Sequence, residues 1–116
     1  MLFEVERTTV LGRPALRVRG ELDLATAPQL GAAVASLLSQ QPRSIVVDLT
    51  ETSFLDSSGA RQLVLLARSA ESAGVALQVV CPRDNRPVRL VVDLLELQAL
   101  VPIVESATRT EGEVGP

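Results

Sequence analysis

Ser44-Ile45-Val46-Val47-Asp48-Leu49 leads, through a short polar connection, into Phe54-Leu55-Asp56-Ser57-Ser58-Gly59 and then into an amphipathic stretch over residues 60–73. The first segment has the composition of a short buried strand and the last carries apolar residues at helical spacing, so the local order is strand, loop, helix. The loop places a hydroxyl at the mouth of the helix. Ser57 or Ser58 is expected to cap it, accepting from one of the N–H groups that the first turn leaves unpaired. Those donors, with the positive end of the helix dipole, would also hold a phosphate ester on the serine. On these four residues alone, the plainer reading is that Asp56-Ser57-Ser58-Gly59 merely caps a helix.

Working outward, residues 2–9 and 14–20 read as strands joined by a turn at Gly12. The second alternates, with Ala15, Arg17 and Arg19 on one side and Leu16 and Val18 on the other, so one face is expected to meet solvent. Thr26-Ala27-Pro28-Gln29 has capping-box spacing with a proline in the first turn, and predicts a helix to residue 40 with Leu30, Val34, Leu37 and Leu38 as its apolar face. Gly74 stops the helix that follows the serines, and residues 75–80 form the next strand. Pro82, Asp84 and Asn85 mark a turn, Pro87 opens a third helix reaching Glu96 or Leu97, and residues 101–104 add a short edge strand. Strands alternating with helices predict a single α/β domain over residues 1–105. Its sheet is mostly parallel or mixed, of four to five strands, with helices packed mainly on one face. Residues 106–116 read as a disordered tail.

Composition removes several kinds of chemistry. The 116 residues include no His, Lys, Tyr or Trp. A serine nucleophile therefore has neither an imidazole nor an amine to take its proton, and a phosphate-cradling P-loop lacks its lysine. The lone Cys81 has no internal disulfide partner and follows an apolar run, which suits a small buried or half-buried residue. Asp23, Asp48 and Asp56 all fall near strand ends, where carboxylates usually serve turns and caps, so an acid-base pair is the weaker reading and no enzymatic activity is expected. The net charge is −3, the eleven arginines are dispersed and the only aromatics are Phe3 and Phe54, which disfavours direct nucleic-acid binding. No apolar run has the length to span a bilayer and no signal-peptide pattern opens the chain, so membrane insertion is not expected and a cytoplasmic location is.

Taken together, Gly20-Glu21-Leu22-Asp23 followed by Thr26-Ala27, then Val46-Val47-Asp48-Leu49, then Phe54-Leu55-Asp56-Ser57-Ser58-Gly59 resemble the STAS domain family, typified by bacterial anti-sigma factor antagonists. The resemblance covers residues 2–104. It implies that Ser57 is phosphorylated by a partner that is both an anti-sigma factor and a serine kinase. The unphosphorylated chain would bind that partner and free a sigma factor, and a phosphatase would restore the phosphorylated form. No cofactor is implied, ATP belonging to the kinase. The resemblance also places Asp23 near the phosphoacceptor, where it would hold the loop or meet the kinase; a helix-entry turn is an equal reading. With Asp56, Ser58 and Gly59 of the motif, Arg61 and Leu65 on the outward face of the following helix complete the candidate partner surface. Arg61 and Leu65 also have the plain reading of solvated residues.

Two departures from the family lie toward the C-terminus. Glu96 stands where the third helix usually ends at a glycine, and the final helix common in the family has no counterpart in the short polar end. Leu90, Leu94 and Leu97 form a second apolar stripe opposite Val88, Val91, Val92 and Leu95. A weak homodimer or a partner would use it, although cover by the last strand or the tail is the preferred reading. Two other functions remain alongside the switch: an unmodified STAS scaffold subunit of a lipid-transport or other membrane-associated complex, and a small-ligand or nucleotide sensor.

Overall fold

The computed structural model describes residues 2–108. Two strands, β1 (Glu4–Val10) and β2 (Arg13–Leu22), open the chain as an antiparallel hairpin. Leu11 and Gly12 both take positive φ, 52° and 76°, the turn whose twist matches that of paired strands. Then come α1 (Ala27–Leu38), β3 (Ser44–Asp48), β4 (Thr52–Leu55), α2 (Ser57–Ser72), β5 (Ala76–Val80), α3 (Arg86–Leu94), a 3-10 turn at Leu97–Ala99 and β6 (Ile103–Val104). The sheet runs β1-β2-β3-β5-β6, and every pairing except β1 with β2 is parallel.

The sheet has six strands rather than four to five, because β4 pairs with the far end of β2. β2 is long enough to serve two partners in succession: Ala15–Arg17 faces Val46–Asp48, and Leu22 faces Leu55. The register shifts at Gly20, which has φ 95° and so little room that a Cβ there would lie 2.9 Å from the Leu2 carbonyl oxygen. Thr52 fixes the second pairing by donating its buried hydroxyl to the Val18 carbonyl at 2.8 Å. The strand was invisible to periodicity because its buried residues, Thr52 and Leu55, flank an exposed Ser53-Phe54 pair instead of alternating.

All three helices pack on one face. Leu30, Val34 and Leu37 of α1, Leu63 and Leu66 of α2, and Val88 and Val92 of α3 join Leu16, Val18, Ile45, Val47, Leu77 and Val79 of the sheet in one aliphatic core, as does Cys81. The other face meets solvent less than the alternation of β2 suggests. Ala15, Val46 and Val80 form a second buried cluster there, covered by Val10, Val104 and Ala107. The chain reaches this cover through residues 106–108, the start of the expected tail: the Thr108 amide donates to Gln78 at 3.0 Å, and Arg13 donates to the Thr108 carbonyl. Residues 109–116 of that tail lie outside the described residues. The rest of this face is ionic. Arg19 meets Glu4 at 2.8 Å and Glu51 at 3.3 Å, and these two carboxylates, Glu4 foremost, hold its guanidinium pKa above the ordinary value. Arg17 lies among Glu6, Asp48 and Glu51.

The end of α3 also departs from expectation. The helix stops at Leu94, and Glu96 takes the left-handed conformation, φ 51° and ψ 43°. That turn breaks the helical phase, so Leu97 enters the core at 4% exposure while Leu95, expected on the buried side, is 49% exposed. Leu90 and Leu94 are left 60% and 72% exposed; among the described residues neither the last strand nor the start of the tail covers them, because β6 extends the sheet beside β5. An L-residue held in the left-handed region costs about 1 kcal/mol. Replacing the exposed Glu96 by glycine should therefore raise unfolding stability by roughly 0.5–1 kcal/mol, measured as a higher urea midpoint at unchanged slope.

Candidate functional site

The ends of β2 and β4 lie side by side, and the chain leaves each through an aspartate. After β4, Asp56 adopts an extended conformation (φ −109°, ψ −175°) and is the N-cap of α2, its Oδ1 accepting from the Gly59 amide at 2.8 Å. The cap is thus Asp56, not Ser57 or Ser58: the extended backbone that a capping residue needs occurs one residue before the serines. Ser57 is instead the first helical residue, exposed, and its hydroxyl has no hydrogen-bond partner among the described residues. The aspartate takes the structural task and leaves the serine oxygen available.

Gly59 explains how the serine is held. A Cβ at this position would lie 2.3 Å from the Leu22 carbonyl oxygen and 2.7 Å from Leu55 Cδ1. No L side chain fits there, so the first turn of α2 rests directly on the end of β2. Gly59 is buried and sets this approach, whereas the motif had suggested a partner contact.

After β2, Asp23 folds its carboxylate into its own turn, accepting from the Ala25 and Thr26 amides at 3.0 and 3.1 Å. The Thr26 hydroxyl accepts from the Asp23 amide at 2.9 Å and donates to the Glu21 carbonyl at 2.7 Å. The expected capping box at Thr26 is absent, since this side chain is committed to the preceding turn. Asp48 is likewise engaged locally, with the Thr50 amide at 2.9 Å, and meets Arg17 on the ionic face. Asp23 and Asp56 therefore share one end of the sheet, and Asp48 does not join them.

A cleft of about 190 Å³ runs between the two helix starts, lined by Leu24, Ala27 and Pro28 on one side and Ser58, Arg61, Gln62 and Leu65 on the other. Arg61 is exposed and Leu65 is 43% exposed, on the outward side of α2 as its periodicity implied. Leu24, 75% exposed, and Phe54, 45% exposed, add two apolar groups that sequence reasoning passed over. Their signal was faint: each falls in a segment read as polar loop. Phe54 pairs in register with Glu21, which brings it to the β2 end of the site. The assembled surface is a free hydroxyl at a helix N-terminus, an acidic neighbour, a guanidinium one turn away and an apolar rim.

A family model described as the STAS domain matches residues 4–109. The anti-sigma-F factor antagonist RsfB of Mycobacterium tuberculosis is 34% identical over 67 residues, which is 58% of this chain and 52% of that protein. The match thus spans about half the length of that relative. Among solved structures, an anti-sigma factor antagonist from Mycobacterium paratuberculosis superposes with a TM-score of 0.73 at 24% identity, covering 90% of this chain and 87% of the other. A protein of Thermotoga maritima described as a putative anti-sigma factor antagonist gives 0.75 at 23% identity, covering 88% and 86%. Among the described residues no helix is long and apolar enough to cross a membrane.

These geometries separate cap, acceptor and spacer. Asp56→Ala should lower stability by about 0.5–2 kcal/mol, whereas Ser57→Ala should stay within about 0.5 kcal/mol of the parent in the same denaturation assay. Gly59→Ala should be the most damaging of the three, by more than about 3 kcal/mol, because backbone rather than a flexible side chain meets the added carbon.

Proposed function

Because the chain belongs to the STAS domain family, we propose that it is an anti-sigma factor antagonist whose docking surface is the end of the sheet around Ser57, and that phosphorylation of Ser57 switches binding off. The observation that carries this reading is the Ser57 hydroxyl itself, exposed and unbonded among the described residues while Asp56 caps the helix. A kinase could esterify this oxygen without dismantling any structure. The product would be tolerated, since α2 is a 16-residue helix whose dipole and first-turn amides favour an anion at Ser57.

The same phosphate would oppose docking. It adds about −1.5 to −2 charges beside Asp56, in a surface whose apolar rim of Leu24, Phe54 and Leu65 suits close contact with a partner. A penalty of about 3 kcal/mol weakens a complex more than 100-fold, so no shape change is needed. In this reading the partner is an anti-sigma factor with serine kinase activity, a phosphatase resets Ser57, and the protein is a non-enzymatic regulator acting in the cytoplasm. Asp23 orders the turn that carries Leu24 and acts on the partner only through it.

Mass spectrometry of the protein isolated from its own cells, across growth and stress, should find phosphate on Ser57 in a condition-dependent fraction. With the cognate anti-sigma factor, Ser57→Ala should bind like the parent and resist phosphorylation, while Ser57→Glu should bind at least about tenfold more weakly. Equal binding by both variants, each with parent-like melting, would refute a charge-operated switch. A persistently unmodified Ser57 would instead favour a constitutive scaffold.

A further inference from the structure

Away from the serine, the start of α3 carries three arginines. Arg83, Arg86 and Arg89 line an open cleft of about 380 Å³ together with Leu90 and Asp93. Arg83 and Arg86 are exposed, but Arg89 is only 5% exposed. Its Nε and Nη1 atoms are buried without a hydrogen-bond partner, and it forms no ion pair among the described residues. Leaving those two donors so is costly, because water has been removed from them and no carboxylate replaces it. Cys81 beside it is at most a weak sulfur acceptor for the Arg89 side chain and does not supply the charge: burial pushes the thiol pKa up, more than the charge of Arg89 and its hydrogen bond draw it down. Asp93 lies one turn further along α3 and lines the same cleft without pairing with Arg89.

The backbone at the same place is also open. Asn85 precedes the nine-residue helix but does not cap it, because its Nδ2 donates to the Leu49 and Thr52 carbonyls, each at 2.9 Å. The Arg89 amide bonds to the Asn85 carbonyl, and Pro87 has no N–H, which leaves the Arg86 and Val88 amides unpaired among the described residues. Three guanidinium groups against one carboxylate make the cleft locally positive in a chain of net charge −3. Arg83 is tied only loosely, to Glu105 at 3.8 Å.

We propose that this cleft binds a small oxyanion of the phosphate type, either free phosphate or a phosphomonoester of a small organic molecule. The forked donors of the exposed Arg86 match two oxygens of such a group, the Arg89 guanidinium adds positive charge from the cleft wall, and the Arg86 amide is a further donor at the helix start. Leu90 would flank the organic part. This site is independent of Ser57 and of the partner-switching reading.

The test is an NMR titration of the full chain with inorganic phosphate and, in parallel, with glycerol 3-phosphate, following backbone amides and arginine Nε–H signals, against sodium chloride at matched ionic strength. The proposal expects saturable shifts at millimolar concentration confined to the first turn of α3, Arg86 and Arg89. Stronger saturation by the ester identifies a phosphomonoester as the ligand class, and equal saturation identifies free phosphate. Arg86→Gln, at an exposed position, should fold normally and weaken binding by about tenfold, the effect of losing one charge-assisted pair. Arg89→Gln should abolish it if that variant folds. Shifts shared equally with Arg7 and Arg68, shifts reproduced by chloride, binding unaffected by Arg86→Gln, or no saturation would each overturn the proposal.

Discussion

The contact between the first turn of α2 and the end of β2 organises this molecule. Gly59 stands against the Leu22 carbonyl with no space for a side-chain carbon, and that approach requires β4 to lie beside β2 in register, Leu55 opposite Leu22. β4 reaches this position only because Gly20 permits a register shift and Thr52 ties its start to Val18. One glycine thus sets the helix, another bends the strand that receives it, and the position of Ser57 follows from both. A serine on a floppy loop would present its hydroxyl in many orientations; here it is the first residue of a helix pinned to the sheet.

Parallel pairing gives this arrangement its functional geometry. β2, β4 and β5 run in one direction and each is followed by a helix, so all three helices begin at the same edge of the sheet. In open α/β sheets that edge is where ligands and partners meet the protein, since helix N-termini and strand ends converge there. The chain treats its three helix starts differently. At α2 an aspartate caps the helix and a serine is left exposed; at α1 the Asp23 turn is closed on itself; at α3 the asparagine side chain turns back to the β3–β4 connection and leaves the helix start to arginine. The first is where the proposed covalent switch would act, and the last is where the proposed anion would be captured.

The opposite face of the sheet has a different task. Among the described residues no helix covers it; it is closed by Val10, Val104 and Ala107 over Ala15, Val46 and Val80, and by a belt in which Arg17 and Arg19 share four carboxylates. Each exposed pair contributes little, yet the belt keeps the outer surface of the β1–β2 hairpin charged. That guards the neighbourhood of an edge strand against unwanted pairing. The Thr108 contacts with Gln78 and Arg13 extend the fold past the last strand, which polar composition alone does not reveal.

Local pattern in the sequence was enough to establish three helices, five of the six strands, their α/β order and the serine motif, because helical spacing, strand runs and Gly/Pro punctuation act over a few residues. It also separated the outward side of α2, with Arg61 and Leu65, from the buried side, and placed Cys81 in the interior. Tertiary structure decided the rest. β4 is a strand because β2 extends far enough to pair with it, Ser57 is unbonded among the described residues because the extended backbone falls at Asp56, and Gly59 has no room for a side chain because Leu22, 37 positions earlier in the chain, occupies the volume. Leu97 is buried and Leu95 exposed because one left-handed residue, Glu96, resets the phase. Such outcomes depend on contacts between distant segments, and those contacts leave no periodic trace in the residues themselves.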